Sequence, residues 1–333
     1  MAPLRYRQSV SKERFPLVFS GLRTQTYHDP AAARGLSTHS IRSIAWNPLG
    51  TLIATGSIDK ILRVWNPERP NVRYSTQLVG HAAGIEKVAF NPVKDAELCS
   101  VSSDGVVKFW DVRTKAVINE IKGLGDAFTL AWAPDGESLI ADNLFVLSPS
   151  QSTPIATHQQ SIQTNQIAFC WSGKRVFLTT GEGRVKILSY PDFKPVLHLN
   201  YEPDNPFTLN GHTSACLSAE LQPTARFLAT GGSDSIIALW DTTDWICQRT
   251  LIDMVGPVRS ISFSFDGSYI VGGSDEGTGI EVAHTESGEY VHTIKTAGPC
   301  PLVAWHPSRY MLAYADSSTL KIVGVDPERM DRR

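Results

Sequence analysis

His81, Ser102, Ser103 and Asp104 lie close together in this chain, and His212, Ser233 and Asp234 repeat the grouping further on. Serine, histidine and aspartate are the parts of an activated nucleophile, in which the imidazole takes the hydroxyl proton and the carboxylate orients the ring. Each set is completed by a tryptophan, Trp110 in the first and Trp240 in the second, and His39, Asp59 and Trp65 form a looser third copy. An active site occurs once, whereas these sets recur. The recurrence points to buried hydrogen-bond chains that hold similar units together. A buried aspartate without its partner costs about 1–3 kcal/mol, which accounts for the residues without any reaction.

Other chemistry is not indicated. There is no Gly-x-x-x-x-Gly-Lys-Ser/Thr phosphate loop and no His-Glu-x-x-His. Gly277-Thr278-Gly279 falls in a turn between strands, not between a strand and a helix, so it is no phosphate cradle. The nine histidines are scattered, with no pair at helical spacing for a metal. The five cysteines (Cys99, Cys170, Cys216, Cys247, Cys300) form no Cys-x-x-Cys pair, which argues against a disulfide framework or zinc site and for a reducing compartment. The expectation is a protein that is not an enzyme and holds neither cofactor nor metal.

The elements that carry these sets follow from a repeat. Ala45-Trp46-Asn47-Pro48, Ala89-Phe90-Asn91-Pro92, Ala131-Trp132-Ala133-Pro134, Ala168-Phe169-Cys170-Trp171 and Ala304-Trp305-His306-Pro307 are clear copies. Leu221-Gln222-Pro223 and Phe263-Ser264-Phe265-Asp266-Gly267 are weaker ones. Their aromatic or aliphatic positions, 46, 90, 132, 169, 221, 263 and 305, are 44, 42, 37, 52, 42 and 42 residues apart. A period of roughly 40–45 residues with this pattern marks a WD-repeat β-propeller. Seven copies predict an all-β, seven-bladed ring. Gly80-His81 and Gly211-His212 then sit before the first strand of a blade, the Asp of each set in the second turn and the Trp in the third strand, with His39, Asp59 and Trp65 a looser version.

Blade 1 shows the grammar. Arg42–Trp46 alternates as a strand, Asn47-Pro48-Leu49-Gly50 turns it, Thr51–Thr55 returns, Gly56–Lys60 turns again and Ile61–Trp65 follows. A fourth strand is expected near Arg73–Leu78. The blades are expected near 36–79, 80–121, 122–157, 158–202, 208–250, 251–294 and 295–325, within a propeller of 15–326 between a basic leader, 1–14, and a tail, 327–333. The last unit has only three strands of its own. Leu17–Thr24 (within 16–24) is expected to supply the fourth and close the ring, because closure removes an exposed sheet edge. Blade 3 is compressed around Ala141–Leu144, and about ten extra residues are expected between blades 4 and 5, around His198–Phe207.

With 42% hydrophobic and 19% charged residues and a net charge of −2, the chain suits a well-buried body and not a surface that coats nucleic acid. No apolar run approaches the ~18–20 residues that span a bilayer. The leader (Arg5, Arg7, Lys12, Arg14) is either a solvated tail or an auxiliary contact to RNA or an acidic partner.

Certain stretches resemble one family within this fold. Val185–Val196, with Ser189-Tyr190-Pro191 in place of Trp-Asp and Lys194-Pro195-Val196 after it, resembles the fourth blade of the third subunit of the THO complex. Pro257–Gly267, Ile280–Ala283, Ser287–Glu289 and Val303–Pro307 are similar to its sixth and seventh blades, and Phe19–Arg23 to its leader. The resemblance runs from about Phe19 to Val325. It implies a non-catalytic scaffold subunit of a nuclear assembly (TREX) that couples transcription to messenger-RNA processing and export, with the other THO subunits as partners and an RNA helicase and an export adaptor as indirect ones. Direct contact with RNA stays open.

A competing reading of the fold is a substrate receptor or histone-tail adaptor in another nuclear complex. A tail reader wants acids and aromatics around the channel mouth. The first-strand positions expected there are Arg42, Glu86, Phe128, Asn165, Leu217, Arg259 and Pro301, a mixed set that disfavours a basic tail. Arg42, Glu86, Phe128, Asn165 and Arg259 are the candidate docking face, with both arginines exposed or paired to Glu86 or a loop acid.

Overall fold

A computed structural model describes residues 9–27, 40–68, 75–160, 162–198, 206–316 and 318–325, with the side chains of Asn143 and Val325 outside the description. The described residues form seven four-stranded antiparallel sheets. Blade 1 runs Ile41–Trp46, Ile53–Ser57, Ile61–Trp65 and Thr76–Val79 in spatial order, and blades 2 to 6 repeat this meander. The second strand of blade 1 is buried throughout and the fourth is largely exposed, so each sheet runs from a dry middle to a wet rim. Burial on both faces explains why the inner strands read as continuous apolar runs.

Among the described residues there is no single core. Seven apolar clusters each straddle one seam between neighbouring blades. Trp110 and Leu98 of blade 2, for example, pack against Leu62, Val64 and Leu78 of blade 1. The aromatics of the repeat, among them Phe90, Trp132, Phe263 and Trp305, are buried in these seams, each worth roughly 1.5–3 kcal/mol.

Ring closure differs in register from the expectation. Phe15–Ser20 is a helix, and the closing strand is Arg23–Tyr27, paired antiparallel with Thr319–Val325 from Thr24 opposite Val323 to Tyr27 opposite Leu320. The spacing Phe-x-x-x-Phe puts Phe15 and Phe19 on one helical face, where both are buried, and Pro16 is tolerated in the first turn. Phe15 lies 3.9 Å from the Tyr269 ring, and Phe19 meets Trp305 and His292 edge-on. Just before the helix, Val10 accepts from Tyr269 Oη (2.7 Å) and donates to Tyr310 Oη (3.1 Å). The leader thus straps the seam between blades 6 and 7 before it joins blade 7.

Two further differences concern blades 3 and 4. The expected insertion is not between blades 4 and 5: Thr208–Asn210 pairs with Arg184–Lys186 as the fourth strand of blade 4, so the extra residues lie inside that blade. Residues 199–205 of this stretch lie outside the described residues. In blade 3, Asp142–Leu144 forms a single 3-10 turn between strands of three residues.

At one end of the ring the turns between first and second strands interlock. Asn47 Nδ2 donates to Asp95 O, Asn91 Nδ2 to Gly136 O, Trp171 Nε1 to Gln222 O, Gln222 Nε2 to Gly267 O and His306 Nε2 to Gly50 O, at 2.8–3.3 Å. Tyr310 Oη donates to Asp266, and Ser138 shares a hydrogen bond with Tyr190. All seven seams are crossed, so the collar is continuous. Gly50 is obligatory here: its φ is +70° and a Cβ would fall 2.1 Å from the His306 ring.

Candidate docking site

The opposite end carries the candidate docking positions, and one backbone device sets them. The first strands of blades 1, 2, 4, 5 and 6 each contain a bulge that leaves Arg42, Glu86, Asn165, Leu217 and Arg259 without a cross-strand partner. A bulge re-aims the side chain it carries. Each bulge lies beside the turn joining second and third strands, which brings these residues to the same mouth of the ring. Phe128 and Pro301 stand just before the shorter first strands of blades 3 and 7.

Their surroundings are unequal. Arg42 is exposed. Arg259 is held by Asp275, an acid of the turn in its own blade, with both side chains half exposed. Asn165 turns inward and donates to Cys216 O at 2.8 Å, tying blade 4 to blade 5. Glu86 is half-buried, and Phe128 is 44% exposed. The Phe128 and Thr129 amides donate to Asp142 of the 3-10 turn, whose carboxyl burial pushes up to about 6. Of the basic leader, Lys12 makes an exposed ion pair with Glu289, and Arg5 and Arg7 lie outside the described residues.

Beneath the mouth lie the repeated polar sets. In blade 5, Trp240 Nε1 donates to Thr230 Oγ1 (2.9 Å), which also contacts His212 Nε2 (2.8 Å), while His212 Nδ1 meets Asp234 (3.0 Å). Asp234 accepts the Thr213 and Ile236 amides as well. A carboxylate can only accept, so Nδ1 carries the proton and Nε2 accepts from the threonine hydroxyl. The polarity runs from Trp240 through Thr230 and His212 to Asp234. This is the order of a nucleophile, base and orienting acid, but Thr230 has 0% exposure and its oxygen is already engaged. The chain is a strut.

Blade 2 shares the hub and loses the end. Ser100 Oγ accepts from Trp110 Nε1 (2.8 Å) and contacts His81 Nε2 (2.7 Å). Asp104 does not reach His81: it accepts from Ser102, and His81 Nδ1 is buried without a partner. Burial, with the Lys108 charge adding to it, pushes the His81 ring down to about 4.

In blade 1 an arginine holds the acid. Trp65 Nε1 donates to Thr55 (3.3 Å), while Asp59 is clasped by both terminal nitrogens of Arg63 (2.5 and 3.1 Å). Burial pushes the Asp59 carboxyl up, but the hydrogen bonds and charge of Arg63 outweigh it and hold the group below its usual range. His39 lies outside the described residues. The hubs Thr55, Ser100 and Thr230 were not singled out from the sequence. Each stands ten residues before its tryptophan, the one signal that could have found it.

The motif particular to blade 4 also has a structural role. The Tyr190 ring meets Phe169 and Phe193 edge-on, and its hydroxyl reaches Ser138 of blade 3 at 2.7 Å. Among the described residues, no group of three or more His, Cys, Asp or Glu could hold a metal ion, and no helix is long and apolar enough to cross a membrane.

The model of the WD domain, G-beta repeat, matches residues 32–66, 73–111, 203–241 and 245–278. Over 281 residues the chain is 32% identical to THO complex subunit 3 of Arabidopsis thaliana, covering 83% of this chain and 86% of that protein. The chain belongs to the THO complex subunit 3 family. It is also 33% identical over 297 residues to the WD repeat-containing protein AAC3 of Dictyostelium discoideum, covering 82% of this chain but only 61% of that protein. The β-propeller domain of Cps50 (Swd1) from Myceliophteria thermophila superposes with a TM-score of 0.75 over 91% of this chain and 100% of that one, at 16% identity, a likeness of fold alone. The THO complex subunit 3 family thus falls within the WD40 propellers, a class that acts as non-catalytic protein-interaction scaffolds.

Proposed function

We propose that the chain is a docking subunit of the THO complex within TREX, coupling transcription to messenger-RNA processing and nuclear export. The observation that carries this reading is the relation to THO complex subunit 3 across most of the ring. Physical support comes from the architecture: a closed ring with interlocked turns offers a rigid surface and spends no binding energy on ordering itself. Its partners are the other THO subunits in the nucleus, and through them an RNA helicase and an export adaptor. The contact face is the bulged mouth, with Arg42, Glu86, Phe128, Asn165 and Arg259. Arg42 and the half-exposed Phe128 ring are the two groups there that a partner can engage most directly, and both types are favoured as binding anchors.

Purification of the tagged chain from nuclear extract, followed by identification of bound proteins, tests the reading. Recovery of the large THO scaffold subunit supports it, and recovery of a cullin adaptor in its place overturns it. A folded Arg42→Glu, Phe128→Ala variant that recovers the complex as well as wild type removes the mouth from consideration.

A further inference from the structure

Outward from Arg259, on the mouth side of blade 6, a cleft of about 440 Å³ opens between the connection from blade 5 to blade 6 and the outer strands of blade 6. Its walls include Asp253, Glu276 and Glu281 against one cation, Lys295. The lip is apolar: Met254 lines the cleft, and Ile252 and Val255 are 67% and 70% exposed. Two exposed aliphatic side chains thus stand close to three carboxylates.

One carboxylate is held directly and the backbone of the other two acids is fixed. Glu281 Oε2 accepts from Thr293 Oγ1 at 2.7 Å, on the neighbouring strand. The Glu276 amide donates to Ser274 Oγ, and its side chain lies over Gly256, where an added Cβ would come within 2.8 Å of it. Tyr290 Oη accepts the Asp253 amide and fixes the connection from the other side. The neighbouring acid, Asp275, is committed to Arg259.

We infer that this cleft binds a short segment of a partner protein that places a lysine or arginine beside an apolar residue. The charge selects the cation, since three carboxylates face one ammonium. The lip selects its neighbour, because an aliphatic side chain beside the cation covers Ile252 and Val255 while the charged head reaches Glu276 and Glu281. The same charges repel the phosphates of RNA. The cleft uses none of the positions Arg42, Glu86, Phe128, Asn165 and Arg259, so its test stands or falls apart from theirs.

The probe is a fluorescein-labelled peptide alternating leucine with lysine and arginine, with a control in which glutamate replaces every cation. Anisotropy should show the full-length chain binding the basic peptide, more weakly as salt rises, and not the acidic one. Glu276→Lys with Glu281→Lys should weaken binding at least about tenfold, and Glu276→Gln with Glu281→Gln by less, each with an unchanged melt. Arg42→Glu should bind as wild type. No binding by wild type, equal binding of the acidic peptide, unchanged affinity in the folded charge variants, or loss in Arg42→Glu would each overturn the inference.

Discussion

Blades 5 and 2 carry the same tryptophan, the same buried hydroxyl and the same histidine, yet only blade 5 finishes the chain. In blade 5 the imidazole is satisfied at both nitrogens, by Thr230 and by Asp234. In blade 2 the ring is satisfied at one, and the aspartate expected to meet it is turned to Ser102. The contrast separates two roles that the sequence pattern merges. The Ser/Thr–Trp hub is the shared element of blades 1, 2 and 5, and the acid is an addition that each blade uses differently.

That contrast can be broken at several points. The largest effect is expected at the hub. Thr230→Val keeps shape but orphans Trp240 Nε1 and His212 Nε2, which should cost about 2–5 kcal/mol in denaturant unfolding. A loss well under 1 kcal/mol would show that the hydroxyl only fills space.

Acid should weaken blade 2. The folded-state value of His81, about 4, lies below the ordinary 6.5. As pH falls from about 6.5 to about 4, the unfolded chain takes up a proton that the folded ring refuses, so stability drops. The ceiling on that loss is about 3 kcal/mol. In His81→Gln the slope of stability against pH should flatten over this window, and an unchanged slope would assign the acid sensitivity elsewhere.

The two aspartates should then part company. Asp234→Ala strands His212 Nδ1 and two amides and should cost about 1–3 kcal/mol. Asp104→Ala loses a local bond to Ser102 and should cost less than about 1 kcal/mol. Equal losses would restore the reading in which both blades use the acid alike. The smallest change concerns blade 3, where Asp142 Oδ1 and Thr129 Oγ1 are both buried without partners. Asp142→Asn removes a buried charge and keeps an acceptor for the Phe128 and Thr129 amides. At pH 8 it should match or exceed wild-type stability, by no more than about 3 kcal/mol, and a clear loss would show that the carboxylate is needed.

The fold was legible because its period is long and its turns are chemically marked; Ala-Trp-Asn-Pro and its variants place all seven blades. The closing element was legible in kind but not in register. Phe15-Pro16-Leu17-Val18-Phe19 is as apolar as a strand, and only its four-residue aromatic spacing separates it from one. The insertion in blade 4 was misplaced because Thr208–Asn210 is too short to announce itself as a strand. Of the polar sets, histidine, aspartate and tryptophan stood out by rarity, whereas Thr55, Ser100 and Thr230 are ordinary strand residues. Arg63 escaped notice for a related reason: a cation in an apolar strand reads as a solvent-facing residue until its carboxylate partner is placed. The collar hid behind its variety, since asparagine, glutamine, histidine and tryptophan do one job at successive seams.

Tyr27 pairs with Leu320, so the closing strand is made before blade 1 and waits for its partner until blade 7 is made. Loop closure over such a separation is slow, and the growing chain carries a bare sheet edge until the last blade is made. Completion of the ring is therefore a signal that translation has passed the last blade. A product terminated before that blade would expose an unpaired edge to the cell's quality control, and a partner that reads only the closed ring would enlist closed rings and no open ones.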